Sequence, residues 1–155
     1  MKRKDGRLIR GINPMFKLIP HIMQDRIGSQ LYYTLELEEG PFNAYIKEMH
    51  SQGYYISLMG VLIACLVRLL ALRPSLNRFV NKGKIYARNS IQISITIKKE
   101  LSDEGDEENI KFTFTGCESV VEVQEMLEGE IRRLKKENES NDAAQLTWAL
   151  DKLPA

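Results

Sequence analysis

The sequence predicts a soluble α/β domain, and three observations carry that expectation. Two segments alternate apolar and polar residues with the period of a strand, Leu31 to Leu37 and Ile91 to Ile97. Two others carry apolar residues at helical spacing, Leu58 to Leu72 and Val120 to Leu134. The composition, 43% hydrophobic and 28% charged over 155 residues with 10 Gly and 5 Pro, can fill one core and fits neither a disordered nor a fibrous chain.

Met1 to Asn13 is polar and basic and is expected to form an arm, residues 1–13, ahead of one domain over 14–155. Asn13-Pro14 provides an N-cap followed by Pro at the first helical position, opening a short helix to Ile19 that Pro20 cuts or kinks. Ser29 to Glu38 reads as a half-buried strand with Leu31, Tyr33, Leu35 and Leu37 on one face. A helix from Gly40-Pro41 follows with Phe42, Tyr45, Ile46 and Met49 on one side, and Gly53 stands where a left-handed cap is needed.

Ser57 to Leu72 is apolar nearly all the way round and is expected to be a helix buried on most sides, so that a charge at Leu66 or Val67 should unfold the domain. Arg73-Pro74 ends it. Phe79-Val80 and Ile85-Tyr86-Ala87 flank Asn81-Lys82-Gly83-Lys84 as a hairpin, and Ile91 to Ile97 continues as a long strand. An acidic loop, Leu101 to Asn109, leads to a strand with Ile110, Phe112 and Phe114 inward. Ser119 and Glu122 form a capping box for a helix burying Val120, Val123, Leu127, Ile131 and Leu134. Glu137 to Asp142 reads as a polar break before a last short helix, Ala143 to Leu153, presenting Leu146, Trp148, Ala149 and Leu150.

The function classes narrow by what is absent. A formal net charge of +1 offers no global field for nucleic acid, and Arg132, Arg133, Lys135 and Lys136 share their helix with Glu128, Glu130 and Glu137, so they read as a charged helix face. The run Leu58 to Leu72 contains Arg68 and is shorter than the ~20 residues that span hydrocarbon, so no membrane partner is expected. The start lacks the apolar stretch of a signal peptide, and Cys65 and Cys117 form no disulfide framework or zinc spacing, which points to the cytoplasm. Asp103 to Glu108 misses the EF-hand register, so no metal site is expected. There is no phosphate-binding glycine loop, no dinucleotide fingerprint and no Gly-x-Ser-x-Gly elbow.

His21 and His50 are the available near-neutral bases, and neither has a partner in sequence; both read as structural or surface residues. Tyr32, Tyr54, Tyr55 and Trp148 offer walls for a small-ligand pocket, a reading that rests on aromatics alone.

The order of pieces adds what single residues do not: the strand Tyr33-Thr34-Leu35-Glu36-Leu37, a helix, a nearly all-apolar helix, the turn Pro74-Ser75-Leu76-Asn77, the hairpin leading to Ile85-Tyr86-Ala87, then the long strand. This resembles the first half of the chloramphenicol acetyltransferase-like catalytic domain of 2-oxo acid dehydrogenase acyltransferase (E2) subunits. Asp5-Gly6-Arg7 and Pro14 to Met23 look like the stand-alone bacterial branch, which lacks lipoyl domains. The resemblance implies a two-layer α/β sandwich of the CoA-dependent acyltransferase type, a trimer, acyl-CoA as substrate with a small acceptor, and a His general base. That base belongs to a His-x-x-x-Asp-Gly motif, and no His follows His50 here, so no catalytic residue is expected in this chain and its coenzyme A contacts stay unassigned.

Leu150 to Ala155 looks like the lead-in to the family's next helix, so the chain is expected to be a fragment, incomplete at its C-terminus and inactive alone, with an open sheet edge and an uncovered apolar face around Ile91 to Ile97. The alternative expectation is a non-catalytic interaction module of the same ancestry.

Overall fold

The computed structural model describes residues 3–23, 25–98 and 107–151, with side chains beyond 136, and that of 135, outside the description. The order is β1 (Gly6–Leu8), α1 (Pro14–Ile22), α2 (Glu39–Ser51), α3 (Leu58–Leu72), β2 (Arg78–Asn81), β3 (Lys84–Arg88), β4 (Ile91–Lys98), β5 (Glu107–Phe114) and α4 (Val120–Asp151). The chain is therefore mixed α/β, with two small antiparallel sheets, β1-β3-β2 and β4-β5.

Within the basic N-terminal stretch, Gly6–Leu8 pairs with β3, Gly6 opposite Arg88 and Leu8 opposite Tyr86. The Asn13 side chain accepts the Met15 N–H at 2.9 Å, as an N-cap should. The helix then runs through Pro20 to Ile22. Pro20 removes one donor from the ladder, and the bond from Met23 N–H to the Ile19 carbonyl closes the final turn beyond it.

α2 ends in a Schellman cap: Gly53 N–H bonds to the His50 carbonyl and Tyr54 N–H to the Met49 carbonyl, with Gly53 at φ +87°. The hairpin β2–β3 turns on Lys82 and Gly83, both left-handed at φ 48° and 72°, which is the twist that a two-residue turn needs to match its strands. β4 and β5 align over eight pairs, from Ile91 opposite Phe114 to Lys98 opposite Glu107, so the isoleucines and Ile110, Phe112 and Phe114 share a face.

That face meets α3 and α4. The core comprises Ile63, Ala64 and Val67 of α3, Ile91, Ile110, Phe112 and Phe114 of the sheet, and Val123, Leu127 and Leu134 of α4. Ile93, Ile95 and Ile97 pack against it half-buried. The expectation of an uncovered face around Ile91 to Ile97 is thus overturned, because α3 and α4 lie over it. The edges of the β4–β5 ribbon do stand unpaired among the described residues.

Four other expectations need correction. Ser29 to Glu38 forms no strand: residues 30–38 have no regular structure, and Leu31 and Tyr33 are 93% and 84% exposed. Alternation shows where side chains would point, but a strand also needs a hydrogen-bonding neighbour, and none lies alongside among the described residues. Second, α3 is buried on one side only, through Gly60, Val61, Ile63, Ala64 and Val67. Third, the break at Glu137 to Asp142 is absent and α4 runs unbroken to Asp151, so Ala143 to Leu153 is not a separate helix. Polar residues there mark solvent, whereas a stop needs Gly or Pro, and none occurs between residues 130 and 153. Fourth, Ile131 stays 36% exposed on α4 instead of joining the core.

The sides of α3 give a paired prediction. Val67 is 1% exposed and Leu66 49%. Val67→Asp should abolish cooperative melting by circular dichroism, since an unpaired charge in the core costs several kcal/mol. Leu66→Asp should keep the fold, correcting the expectation that a charge at either position unfolds it.

Candidate interaction surface

The side of α3 turned away from the core carries Leu58, Leu62, Cys65, Leu69 and Leu72, spaced four, three, four and three residues apart, with Met59 and Leu66 beside them. That is the a/d spacing of a helix seam built to meet another element. Leu58, Leu66, Leu69 and Leu72 all count among the exposed large hydrophobics. A fully buried leucine contributes roughly 1.5–3 kcal/mol. Allowing for the half of each side chain already covered, these four withhold on the order of 3–6 kcal/mol, a large share of the ~5–15 kcal/mol that stabilises a typical domain. In the same chain, Leu31, Tyr33, Leu35 and Leu37 alternate along residues 30–38, also exposed. The chain thus exposes both an apolar helix seam and an apolar strand-patterned segment.

α3 is held firmly enough to present that seam. Ser57 caps it by accepting the Gly60 N–H at 3.1 Å, while Ser57 N–H and Oγ both donate to Gln124 Oε1 of α4 at 3.1 and 2.8 Å. At the other end Gly116 lies so close that a Cβ there would sit 2.8 Å from the Ala71 Cβ. The Glu118 carboxylate organises this turn, accepting Thr115 N–H at 2.6 Å, Thr115 Oγ1–H at 2.8 Å and Gly116 N–H at 2.9 Å. Desolvation pushes its carboxyl up, but these donors together outweigh it and hold the group at about 2. Ser119 and Glu122 complete the capping box that starts α4: Ser119 N–H and Oγ–H reach Glu122 Oε2 at 2.7 and 2.8 Å, and Glu122 N–H reaches Ser119 Oγ at 3.3 Å.

His21 and His50 lie in different places. His50, exposed on α2, has Nε2 3.1 Å from the Ile56 carbonyl and 3.4 Å from the Ile56 N–H, donating or accepting according to tautomer. It fastens the α2–α3 loop, and its ring lies 5.4 Å from that of Tyr55. No residue type in the sequence signals this partner, because it is a backbone group. His21 ends α1 with its ring against Gly83, where a Cβ would be 3.0 Å from Cε1. It borders a cleft of about 1110 Å³ along the outer edge of β2, which also receives Arg26, Arg78, Lys82 and Arg88. Tyr32, Tyr54 and Tyr55 are exposed, and the Trp148 side chain falls outside the description.

The expected acidic loop lies outside the described residues over 99–106. Among the described residues, no three of His, Cys, Asp or Glu stand close enough to hold a metal ion, and no helix is long and apolar enough to cross a membrane. Cys65 and Cys117 are both free thiols. Arg132 and Arg133 pair with Glu128 and Glu130, one turn back, which accounts for that basic run as a helix face.

No protein-family model, no curated protein and no solved structure matches this chain.

Two measurements check the surface and its supports. The wild-type chain should associate as its concentration rises in size-exclusion chromatography with light scattering, and Leu66→Lys with Leu69→Lys should abolish this while leaving the melting temperature within a few degrees of wild type; a wild-type chain that stays monomeric, or association that persists in the variant, would contradict a sticky seam on α3. Glu118 is depressed in the folded state, so its contribution is complete above the unfolded carboxyl range near 4.5 and fades as pH falls toward about 2. Glu118→Gln should therefore lower stability by about 1–2 kcal/mol at pH 7, a deficit that shrinks on acidification across that window in denaturant melts.

Proposed function

We propose that this chain is the core-bearing part of a CoA-dependent acyltransferase domain, of the E2-like, chloramphenicol acetyltransferase-like type, working as a scaffold and not as a complete catalyst. In this reading the two-layer sandwich is finished by further polypeptide laid over the α3 seam and paired with residues 30–38, within a cytoplasmic trimer. The observation that carries it is the largely exposed 58-62-65-69-72 seam in a chain that also exposes a segment patterned as a strand, which is what one part of a larger α/β sandwich would leave open. The order α2, α3, Pro74 turn, hairpin and long β4 strand supports it, being the part of the order behind the family resemblance that the structure keeps; the strand Tyr33 to Leu37 that heads that order is absent. Acyl-CoA and a small acceptor are the substrates in this reading, and the general base comes from polypeptide other than the residues described.

The second reading is a non-catalytic interaction module of the same ancestry, and His50 fits either one: its Nε2 meets the Ile56 backbone and closes a loop, as a residue outside the chemistry does.

One assay addresses both. Purified chain given acetyl-CoA and a dithiol or hydroxyl acceptor should release no free coenzyme A above background. Release that vanishes in His21→Ala or His50→Ala would contradict the absence of a base in this chain. A reading frame beyond Ala155 coding for His-x-x-x-Asp-Gly supports the acyltransferase reading; a frame without it leaves the interaction module.

A further inference from the structure

The charge of the chain is divided along its length: residues 1–90 hold 14 Lys and Arg against 6 Asp and Glu, and residues 91–155 hold 8 against 15. The near-zero total hides a strongly basic N-terminal part. Its cations do not spread evenly. Arg26, Arg78, Lys82 and Arg88 all line the cleft along β2, and among the described residues none of them has a carboxylate within ion-pair distance, although Asp5 lies within electrostatic reach of Arg88. By contrast, Arg3, Arg132 and Arg133 are each paired, with Asp5, Glu128 and Glu130.

The groups are held in place. Lys82 projects from the tip of a two-residue turn that is fixed by its left-handed backbone. Arg88 lies over the Phe79 ring, 4.9 Å from its centroid, and Phe79 stacks on Tyr86 at 5.4 Å, so that guanidinium rests on a rigid aromatic floor. Arg26 sits in a loop tied by the bonds from Gly28 N–H to Asp25 Oδ1 at 2.5 Å and from Ser29 Oγ to the Asp25 carbonyl at 2.6 Å. The Asp25 carboxylate in the cleft is occupied by that loop bond, and it offsets one of the four cations.

We infer that this cleft is a binding site for a linear polyphosphate, free or carried on a nucleoside. Three guanidiniums and one ammonium line the cleft, and arginine is the side chain best suited to bidentate contacts with phosphate oxygens. A volume of about 1110 Å³ exceeds what a single phosphate fills and lies just above the ~300–1,000 Å³ of small-molecule sites, which leaves room for an extended ligand. This inference stands on the cleft alone and is independent of the acyltransferase reading.

The test is isothermal titration of the whole chain with sodium tripolyphosphate and, separately, with ADP, at low salt. Saturable binding is expected for at least one of them, and its weakening in high salt follows from screening. Arg26→Gln, in a surface loop, should weaken it about tenfold, and Arg78→Gln with Lys82→Gln by that or more, each with unchanged circular dichroism. Arg132→Gln on α4 should bind as wild type. Tighter ADP binding identifies the nucleoside-borne form, and tighter tripolyphosphate binding the free one. No saturable binding of either, or equal weakening by Arg26→Gln and Arg132→Gln, overturns the site.

Discussion

Helix α3 has two apolar sides and only one of them is covered. Gly60, Ile63, Ala64 and Val67 face the β4–β5 ribbon and α4, while Leu58, Leu62, Cys65, Leu69 and Leu72 lie on the opposite side of the same helix. The rest of the structure follows from that constraint. The ribbon is too small to wrap a helix, and α4 supplies Val123, Leu127 and Leu134 to the side that the ribbon already covers. The seam therefore stays open, and so do the leucines of residues 30–38, which would need a neighbouring strand to fold down.

What holds the covered side together is mostly local and polar at its ends. The Glu118 turn brings Gly116 into contact with Ala71, and Ser57 reaches Gln124, so α3 and α4 are pinned at both ends of their contact. The smaller sheet β1-β3-β2 is built differently, around the Phe79–Tyr86 stack and a rim of arginines. An apolar core with an acidic helix and a basic sheet with an open cleft thus lie in one chain, leaving one exposed apolar surface and one cationic one.

Much of this architecture was legible in the residues. The Asn13 cap, the Gly53 cap, the Asn81 to Lys84 hairpin, the Ile91 to Ile97 strand and the Ser119–Glu122 box were all readable because each depends on neighbours in sequence. Two of the failures have one origin. Whether Leu31 to Leu37 pairs, and which side of α3 is covered, depend on distant chain, and periodicity is silent about that. The seam spacing 58-62-65-69-72 was available in the sequence but masked by an apolar run that read as buried all round. The cationic cleft was masked likewise, by a total charge that cancels between the two parts of the chain. His50 could not be placed because its partner is the backbone of Ile56.

The open seam and the unpaired segment are tested most directly by amide hydrogen exchange read by mass spectrometry across a dilution series. In dilute chain, residues 61–68 of α3 and the β4–β5 ribbon should be protected while residues 31–37 exchange at unprotected rates; raising the concentration, or adding polypeptide that covers the seam, should slow exchange in 31–37. Protection of 31–37 equal to that of β4 at the lowest concentration would mean that this segment already pairs within a single chain, and would contradict an incomplete α/β sandwich waiting to be covered.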